Sequence, residues 1–196
     1  MNYTGLTDYE KWSHFKKGDV RAFSFIYAEY SSILYLYGMK FTKDTIIVED
    51  AVQDLFADLL KNCRNLGDTD NIQFYLLKSF KRKLFRNIKK EKRSLNLQNA
   101  NDCDFHITYS IEHQLINEDI SKEKTELLIR ALKTLTPRQK EAIYLKFTRE
   151  LDYKEVSGVM EISVEGCRNL IAKAVKTLKE AVGGKKELIF FMGFLK

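Results

Sequence analysis

Apolar residues recur three and four residues apart along much of the chain, which places them on one side of an α-helix. Near the C-terminal end this stripe contains Cys167, Leu170, Ile171, Ala174, Val175 and Leu178. In the middle of the chain a second stripe contains Leu77, Phe80, Leu84 and Ile88. No β-branched run alternates with polar residues at a period of two, and Pro and Gly are few. We therefore predict an all-α fold.

Helix-start signals divide the second half of the chain into short helices. Thr136 and Gln139 form a predicted capping box around the chain's single proline, at the first helical position. Asp152 and Glu155 repeat this signal in acidic form, and Ser163 is placed to cap the last helix. Only about three residues, 161–163, remain to turn the chain before that helix. This spacing predicts a helix-turn-helix.

The polar face of the last predicted helix suits DNA. A helix that packs by one side can place its other side in a major groove, with its N-terminal residues at base edges. Arg168 and Asn169 lie in the first turns, whereas Lys173 and Lys176 lie further along and are better placed for phosphates. A helical hairpin with a solvated outer face is the alternative interpretation of the same pattern.

Charge is distributed unevenly around a formal net charge of +6. Residues 78–93 contain nine Lys or Arg and one Glu, whereas residues 94–126 contain two Lys and seven Asp or Glu. A basic block on a helix is typical of a nucleic-acid partner, although a solvated surface gives the same pattern. We predict two small helical domains, residues 8–93 and 122–182, joined by an acidic flexible linker, residues 94–121. An apolar segment, residues 183–196, follows and is expected to fold back or to bind a partner.

The composition excludes several other classes of protein. The chain has no run of about 18 apolar residues, and residues 1–10 lack the pattern of a signal peptide. Cys63, Cys103 and Cys167 are odd in number and widely spaced, which favours a reducing compartment over a disulfide framework. We therefore expect a cytoplasmic protein without membrane insertion.

The order of motifs in the first 93 residues is more specific than any one of them. "GDVRAFSFIYAEYSSILYLYGMKF" precedes "VEDAVQDLFADLLKN", and the basic aromatic stretch "NIQFYLLKSFKRKLFRNIKKEKR" follows. Together with Thr136 to Gln139 and the helix-turn-helix, this order resembles the extracytoplasmic-function (group 4) sigma factors of the sigma-70 family. The resemblance covers about residues 10–93 and 122–182. The chain departs from the family pattern at Met160-Glu161, where Leu-Gly usually precedes the turn.

The resemblance implies a function in transcription initiation. Such a protein is not itself an enzyme; it brings core RNA polymerase to promoters and helps to open them. The partners implied are core RNA polymerase, promoter DNA and an anti-sigma factor, and no cofactor or metal is implied. Region 4 would bind the minus-35 element as duplex, and region 2 would hold the minus-10 element and its unpaired strand. The acidic linker would run through the polymerase cleft.

The resemblance also implies three sets of contact residues. The polymerase contact in region 2.2 would use Asp50, Gln53, Asp54 and Phe56, although Phe56 is also available to the core of its own domain. The minus-10 contact would use Phe74, Tyr75, Lys78, Lys81, Arg82, Phe85, Arg86 and Lys89. The minus-35 contact would use Ser163, Glu165, Arg168, Asn169, Lys173 and Lys176. Phe80 falls in the apolar stripe, so we expect it in the core.

Three other functions fit parts of the sequence. Asp50, Asp54 and Asp58 form a carboxylate row that would suit a metal-dependent nuclease, but no matching His or Glu motif accompanies it. Cys103, His106 and His113 could form a zinc site, but they lack a second Cys at finger spacing. A helix-turn-helix regulator that never joins polymerase explains the second domain and leaves the first unexplained.

Overall fold

The computed structural model describes residues 3–94, 105–106 and 122–183, and the chain divides into two compact units, Met1–Cys103 and Asp104–Lys196. The first unit contains α1 (Asp8–Lys16), α2 (Val20–Gly38), α3 (Thr45–Asn62), a 3-10 turn (Cys63–Asn65) and α4 (Ile72–Ser94). The second contains α5 (Lys122–Lys133), α6 (Pro137–Ile143), a π-helical turn (Tyr144–Thr148), α7 (Tyr153–Met160) and α8 (Val164–Ala181). No strand occurs among these residues, which confirms the all-α prediction.

Gly18 and Asp19 start the second helix. Gly18 has a φ of 90°, a left-handed conformation that glycine adopts without steric cost. The Asp19 carboxylate then accepts hydrogen bonds from the backbone N–H groups of Arg21 and Ala22, at 2.9 and 3.4 Å. Two of the residues that carry the family resemblance therefore have a local role, because together they turn the chain and cap α2.

The apolar stripe of α4 forms the centre of the first unit. Leu77, Phe80 and Leu84 are fully buried and Ile88 is nearly so, as the helical spacing predicts. α4 packs by this stripe against α2 and α3. The prediction that Phe80 belongs to the core is confirmed.

α1 fixes the start of α4. The Asp8 carboxylate accepts a hydrogen bond of 2.8 Å from the backbone N–H of Ile72, the first residue of α4. The Trp12 indole N–H donates a hydrogen bond of 2.8 Å to the carbonyl of Gly67, in the loop that leads to α4. The position of this long basic helix therefore depends on side chains some 60 residues earlier in the sequence.

The predicted helix starts of the second unit are confirmed. Thr136 and Gln139 exchange side-chain-to-backbone hydrogen bonds of 2.9 and 3.3 Å, and Asp152 and Glu155 do the same at 2.8 and 2.7 Å. The Ser163 hydroxyl accepts a hydrogen bond of 3.0 Å from the backbone N–H three residues further on. α7 and α8 follow one another with three residues between them, so the predicted helix-turn-helix is also confirmed.

The inner face of α8 matches its predicted stripe. Cys167, Ile171, Ala174 and Leu178 are buried, and the two flanking members of the stripe are half-buried. This face packs on α6 and α7, and α5 also contacts α8. The opposite face of α8 is therefore left to solvent or to a partner.

The predicted linker has an anchored residue. Phe105 is buried, and its ring centroid lies 5.8 Å from that of Tyr144 in the second unit. At its other end the predicted linker begins at Ser94, which is the last residue of α4. Residues 95–104 and 107–121 of the predicted linker, and the apolar C-terminal segment from residue 184, lie outside the described residues. None of the helices within the described ranges is both long and apolar enough to cross a membrane.

At Gly38 the backbone of α2 lies close to side chains of both other long helices. A β-carbon at this position would lie 2.7 Å from Cγ1 of Val48 in α3 and 2.9 Å from Cζ of Phe80 in α4. Both neighbours are fully buried. Any side chain at residue 38 therefore forces the buried side chains of Val48 and Phe80 to shift.

We predict that Gly38→Ala lowers the free energy of unfolding by about 1–2 kcal/mol, because the strain of overpacking exceeds the higher helix propensity of alanine. Urea denaturation of the full chain measures this. Gly67→Ala is the matched control, since nothing lies within 4 Å of a β-carbon there and its φ is not positive. A Gly38→Ala protein as stable as the control would contradict the close packing of the three helices.

Candidate nucleic-acid and partner interfaces

The outer face of α3 is acidic and open. Asp50, Gln53 and Asp54 are exposed, and their side chains make no hydrogen bond or ion pair with another residue in the described ranges. Successive turns of the helix thus present polar groups that the fold itself does not use. This arrangement suits a partner surface with complementary charge.

Phe56, predicted as a polymerase contact and also as available to the core of its own domain, is buried in this unit. Phe56 is only 2% exposed, and its ring centroid lies 4.7 Å from that of Tyr27 and 6.0 Å from that of Phe23, both in α2. These are the distances of packed aromatic pairs. Phe56 therefore holds α3 on α2 and supports the exposed face indirectly.

A shallow apolar groove lies beside this acidic face, between α2 and α3. Its volume is about 410 Å³, and its lining includes Tyr27, Tyr35, Leu36, Val52 and Gln53. Tyr27 is 42% exposed and Leu36 is 59% exposed, so apolar surface continues from the acidic face onto α2. The sequence analysis missed the groove, although Tyr27, Ser31 and Tyr35 form an i, i+4, i+8 row beside the buried row of α2.

The last carboxylate of the α3 row is already paired. The Asp58 carboxylate lies 2.5 Å from Nζ of Lys83 in α4, and this contact holds the pKa of Asp58 below its usual range. The pair is therefore intact at neutral pH and is lost only as the pH falls through that lowered pKa. Since Asp58 is bound to a lysine, the row does not offer three free carboxylates to a metal ion. In the described part of the chain no three His, Cys, Asp or Glu side chains group as a metal site would require.

The outer face of α4 is basic and carries aromatic rings. The predicted cations and Phe85 recur at i, i+3, i+4, i+7, i+8 and i+11 from Lys78, which is the spacing of a single helix face. Arg82, Arg86 and Lys89 are exposed. The structure thus brings these predicted residues together on one surface, facing away from the core.

Two lysines of this face lie over aromatic rings. Nζ of Lys78 is 5.6 Å from the ring centroid of Phe74. Nζ of Lys81 is 5.8 Å from the ring centroid of Phe85 and 5.7 Å from that of Phe41. Phe41 is buried just after α2, and its contact with Lys81 depends on the fold, so no pattern in the sequence indicated it.

Tyr75 is placed differently from Phe74. Its ring centroid lies 4.9 Å from that of the buried Trp12 in α1, and burial raises the pKa of its hydroxyl. The half-buried ring is thus already packed on one neighbour. Of the two aromatic residues predicted to meet DNA at the start of α4, Phe74 is the better placed, since it lies over a lysine and not in the core contact with α1.

The predicted contact residues of α8 all lie on its outer side. Exposed residues of this set are Ser163, Glu165, Arg168, Asn169, Lys173 and Lys176. The Ser163 oxygen accepts the capping hydrogen bond, which leaves its hydroxyl hydrogen and one oxygen lone pair for a ligand. Lys176 also approaches Glu180 at 4.0 Å, a weak exposed pair. The helix thus presents a polar N-terminal end and a row of lysines beyond it.

Tyr153, which the sequence analysis did not select as a site residue, lies against this surface. It is the first residue of α7 and follows the capping residue Asp152. The guanidinium carbon of Arg168 is 5.8 Å from its ring centroid, and Nζ of Lys146 is 4.9 Å from the same centroid. No periodicity in the sequence links these three residues, since they meet only when α7 packs on α8.

The turn of the helix-turn-helix contains a left-handed residue. Glu161 has φ 54° and ψ 48°, and its backbone N–H donates to the carbonyl of Ser157 at the end of α7. Glycine is the usual residue in this conformation, because a β-carbon there crowds the backbone. The departure from Leu-Gly to Met160-Glu161 therefore places strain in the turn that positions α8.

Comparisons with known proteins agree with this geometry. Residues 125–178 match the family model described as sigma-70, region 4. The ECF RNA polymerase sigma factor SigM of Bacillus subtilis (strain 168) is 24% identical over 156 residues, which cover 79% of this chain and 91% of SigM.

Two solved structures share the fold. CnrH, in complex with the cytosolic domain of CnrY, has a TM-score of 0.57 at 18% identity, covering 90% of this chain and 97% of CnrH. The sigma factor RpoE from Bartonella quintana, in complex with the anti-sigma factor NepR, has a TM-score of 0.57 at 14% identity, covering 83% of this chain and 98% of RpoE.

We predict that a Glu161→Gly variant is more stable than a Glu161→Ala variant by about 1 kcal/mol, because glycine adopts the left-handed conformation without steric cost. Both variants lose the glutamate side chain, so their comparison isolates the backbone. Thermal unfolding of the full chain measures the difference. Equal melting temperatures would mean that residue 161 is not held in this conformation.

Proposed function

We infer that this chain, which belongs to the extracytoplasmic-function sigma factors of the sigma-70 family, brings core RNA polymerase to promoters and opens them. The observation that carries the proposal is the capped α7–α8 pair inside the residues that match region 4, with the first turns of α8 exposed. Polymerase performs the chemistry, and this chain contributes binding surfaces. We place it in the cytoplasm.

Region 4 would bind the minus-35 element through the outer face of α8. Arg168 and Asn169 lie in the exposed first turns, where side chains of a helix in the major groove reach base edges. A bidentate contact from arginine to guanine discriminates against a wrong base by about 1–3 kcal/mol. Lys173 and Lys176 lie beyond them and would neutralise phosphates without reading sequence.

Region 2 would hold the opened minus-10 element on the outer face of α4. Single-stranded nucleic acid is bound by aromatic rings on which bases stack, next to cations that follow the backbone. Phe74 and Phe85 provide partly exposed rings, each with a lysine within 6 Å. Arg82, Arg86 and Lys89 extend the positive surface, so binding should weaken steeply with salt as phosphate contacts release counterions.

Core polymerase would bind the outer face of α3. Asp50, Gln53 and Asp54 are exposed polar groups, and the apolar groove next to Gln53 adds surface from Tyr27 and Leu36. Charged groups next to apolar surface are typical of interfaces that exchange partners. Phe56, buried beneath this face, would stabilise its shape without touching the polymerase.

An anti-sigma factor is the third partner that we propose. The structure of RpoE contains the anti-sigma factor NepR, and that of CnrH contains the cytosolic domain of CnrY. By analogy with these proteins of the same fold, a regulator would compete for surfaces that polymerase and DNA need. A helix-turn-helix regulator that acts without polymerase remains the alternative, and it leaves the exposed face of α3 without a function.

We expect Asp54→Arg to weaken assembly with core polymerase about tenfold or more, because a reversed charge at an interface is repelled by a partner selected for the original charge. Stability should change by less than about 0.5 kcal/mol, since Asp54 is exposed and unpaired in the described part of the chain. Titration of labelled full-length protein with core polymerase in the absence of DNA measures this affinity.

Asp70→Arg is the matched control, since it makes the same charge change at an exposed residue of the same unit but away from α3. It should assemble like the wild type. If Asp54→Arg also assembles normally, this face is not the polymerase contact. If the wild-type chain itself does not assemble with core polymerase, the sigma-factor proposal fails and the regulator is favoured.

A further inference from the structure

Tyr153 links the two helices of the helix-turn-helix through cations and not through the core. It is 37% exposed, so much of its ring lies outside the apolar packing of α7 and α8. Arg168 from α8 and Lys146 from the π-helical turn both lie within 6 Å of its ring centroid. At these distances the negative face of an aromatic ring attracts a cation.

Lys146 is itself fixed in place. Its Nζ donates a hydrogen bond of 3.0 Å to the carbonyl of Leu151, just before α7 begins. The lysine therefore holds the segment that leads into α7 while it contacts the Tyr153 ring. The Tyr153 ring therefore contacts a lysine from the π-helical turn and an arginine from α8.

The Tyr153 hydroxyl has no hydrogen-bond partner within the described residues. The start of α7 is held separately, by the capping box between Asp152 and Glu155. The contribution of Tyr153 to the described contacts therefore comes from its ring. A phenylalanine could supply the same ring, whereas an aliphatic side chain of similar size could not.

An arginine side chain has many rotamers in water, and ordering it on binding costs free energy. A ring that already holds the guanidinium near the first turns of α8 reduces this cost and limits the directions in which Arg168 can reach. We propose that Tyr153 is a positioning residue for Arg168 and that it strengthens the preference of Arg168 for one minus-35 base. This inference rests on the proposed function of α8.

The test is a selection of promoter DNA randomised in the minus-35 element, with holoenzyme assembled from core polymerase and the full chain. We expect Tyr153→Leu to reduce the base preference that depends on Arg168 by about two- to fivefold, the range of an exposed cation–π contact. Tyr153→Phe should retain the wild-type preference. In an Arg168→Ala background, Tyr153→Leu should have no further effect on preference.

The same variants distinguish positioning of Arg168 by Tyr153 from a purely structural role of Tyr153. Loss of structure would lower binding to every sequence and would lower the melting temperature, whereas loss of positioning changes the preference at one base. Tyr153→Met provides a second variant without a ring, should the leucine variant not fold. An unchanged preference in a folded ring-less variant overturns the proposal, and so does an equal loss in the Arg168→Ala background.

The same selection also distinguishes failure of the proposed minus-35 binding by α8 from failure of the proposed role of Tyr153. In the first case the wild-type holoenzyme would select no minus-35 sequence, or Arg168→Ala would select the same sequence as the wild type. Either result would mean that Arg168 confers no base preference, so there would be none for Tyr153 to strengthen. A wild type that differs from Arg168→Ala but equals Tyr153→Leu would contradict the role of Tyr153 alone.

Discussion

The close approach of three helices at Gly38 determines which surfaces the first unit presents. Because residue 38 has no side chain, Val48 of α3 and Phe80 of α4 meet against the backbone of α2. This contact fixes the rotation of both helices about their axes, since turning either would move a buried side chain into solvent. Because an α-helix has a fixed repeat, the buried side of each helix also decides which residues lie on its outer side. The outer side of α3 is acidic, and that of α4 is basic and carries aromatic rings. The orientation of the acidic face of α3 and of the basic face of α4 thus depends on close packing at the backbone of α2.

In the second unit, the exposed surface of α8 depends on the caps that start both helices of the helix-turn-helix. Side-chain caps start α7 and α8 at defined residues, and three residues between them set their crossing. The strained Glu161 lies within that turn. The inner face of α8 is held by packing, so the exposed residues of its first turns are displayed on a rigid element, as specific contacts to bases require.

Local patterns in the sequence were sufficient for the helix caps of the second unit and for the buried faces of α4 and α8. The stripe at Leu77 and Phe80, and the cap at Ser163, each depend on residues within a few turns of one another, so periodicity and cap chemistry identify them. Contacts between distant segments were not predictable in this way. Phe56 is an apolar residue next to polar ones on α3, and only the rings of α2 decide that it is buried. The rings of Phe105 and Tyr153 likewise find their neighbours through the tertiary fold.

Promoter opening separates a sigma factor from a regulator that binds duplex DNA alone, so it tests the account most directly. Permanganate oxidises unpaired thymines, and their positions can be mapped along genomic DNA incubated with core polymerase, with this chain, or with both. The account predicts clusters of reactive thymines that appear only when both proteins are present, each a constant distance downstream of a shared duplex element. Reactivity that is the same with and without this chain would contradict the account.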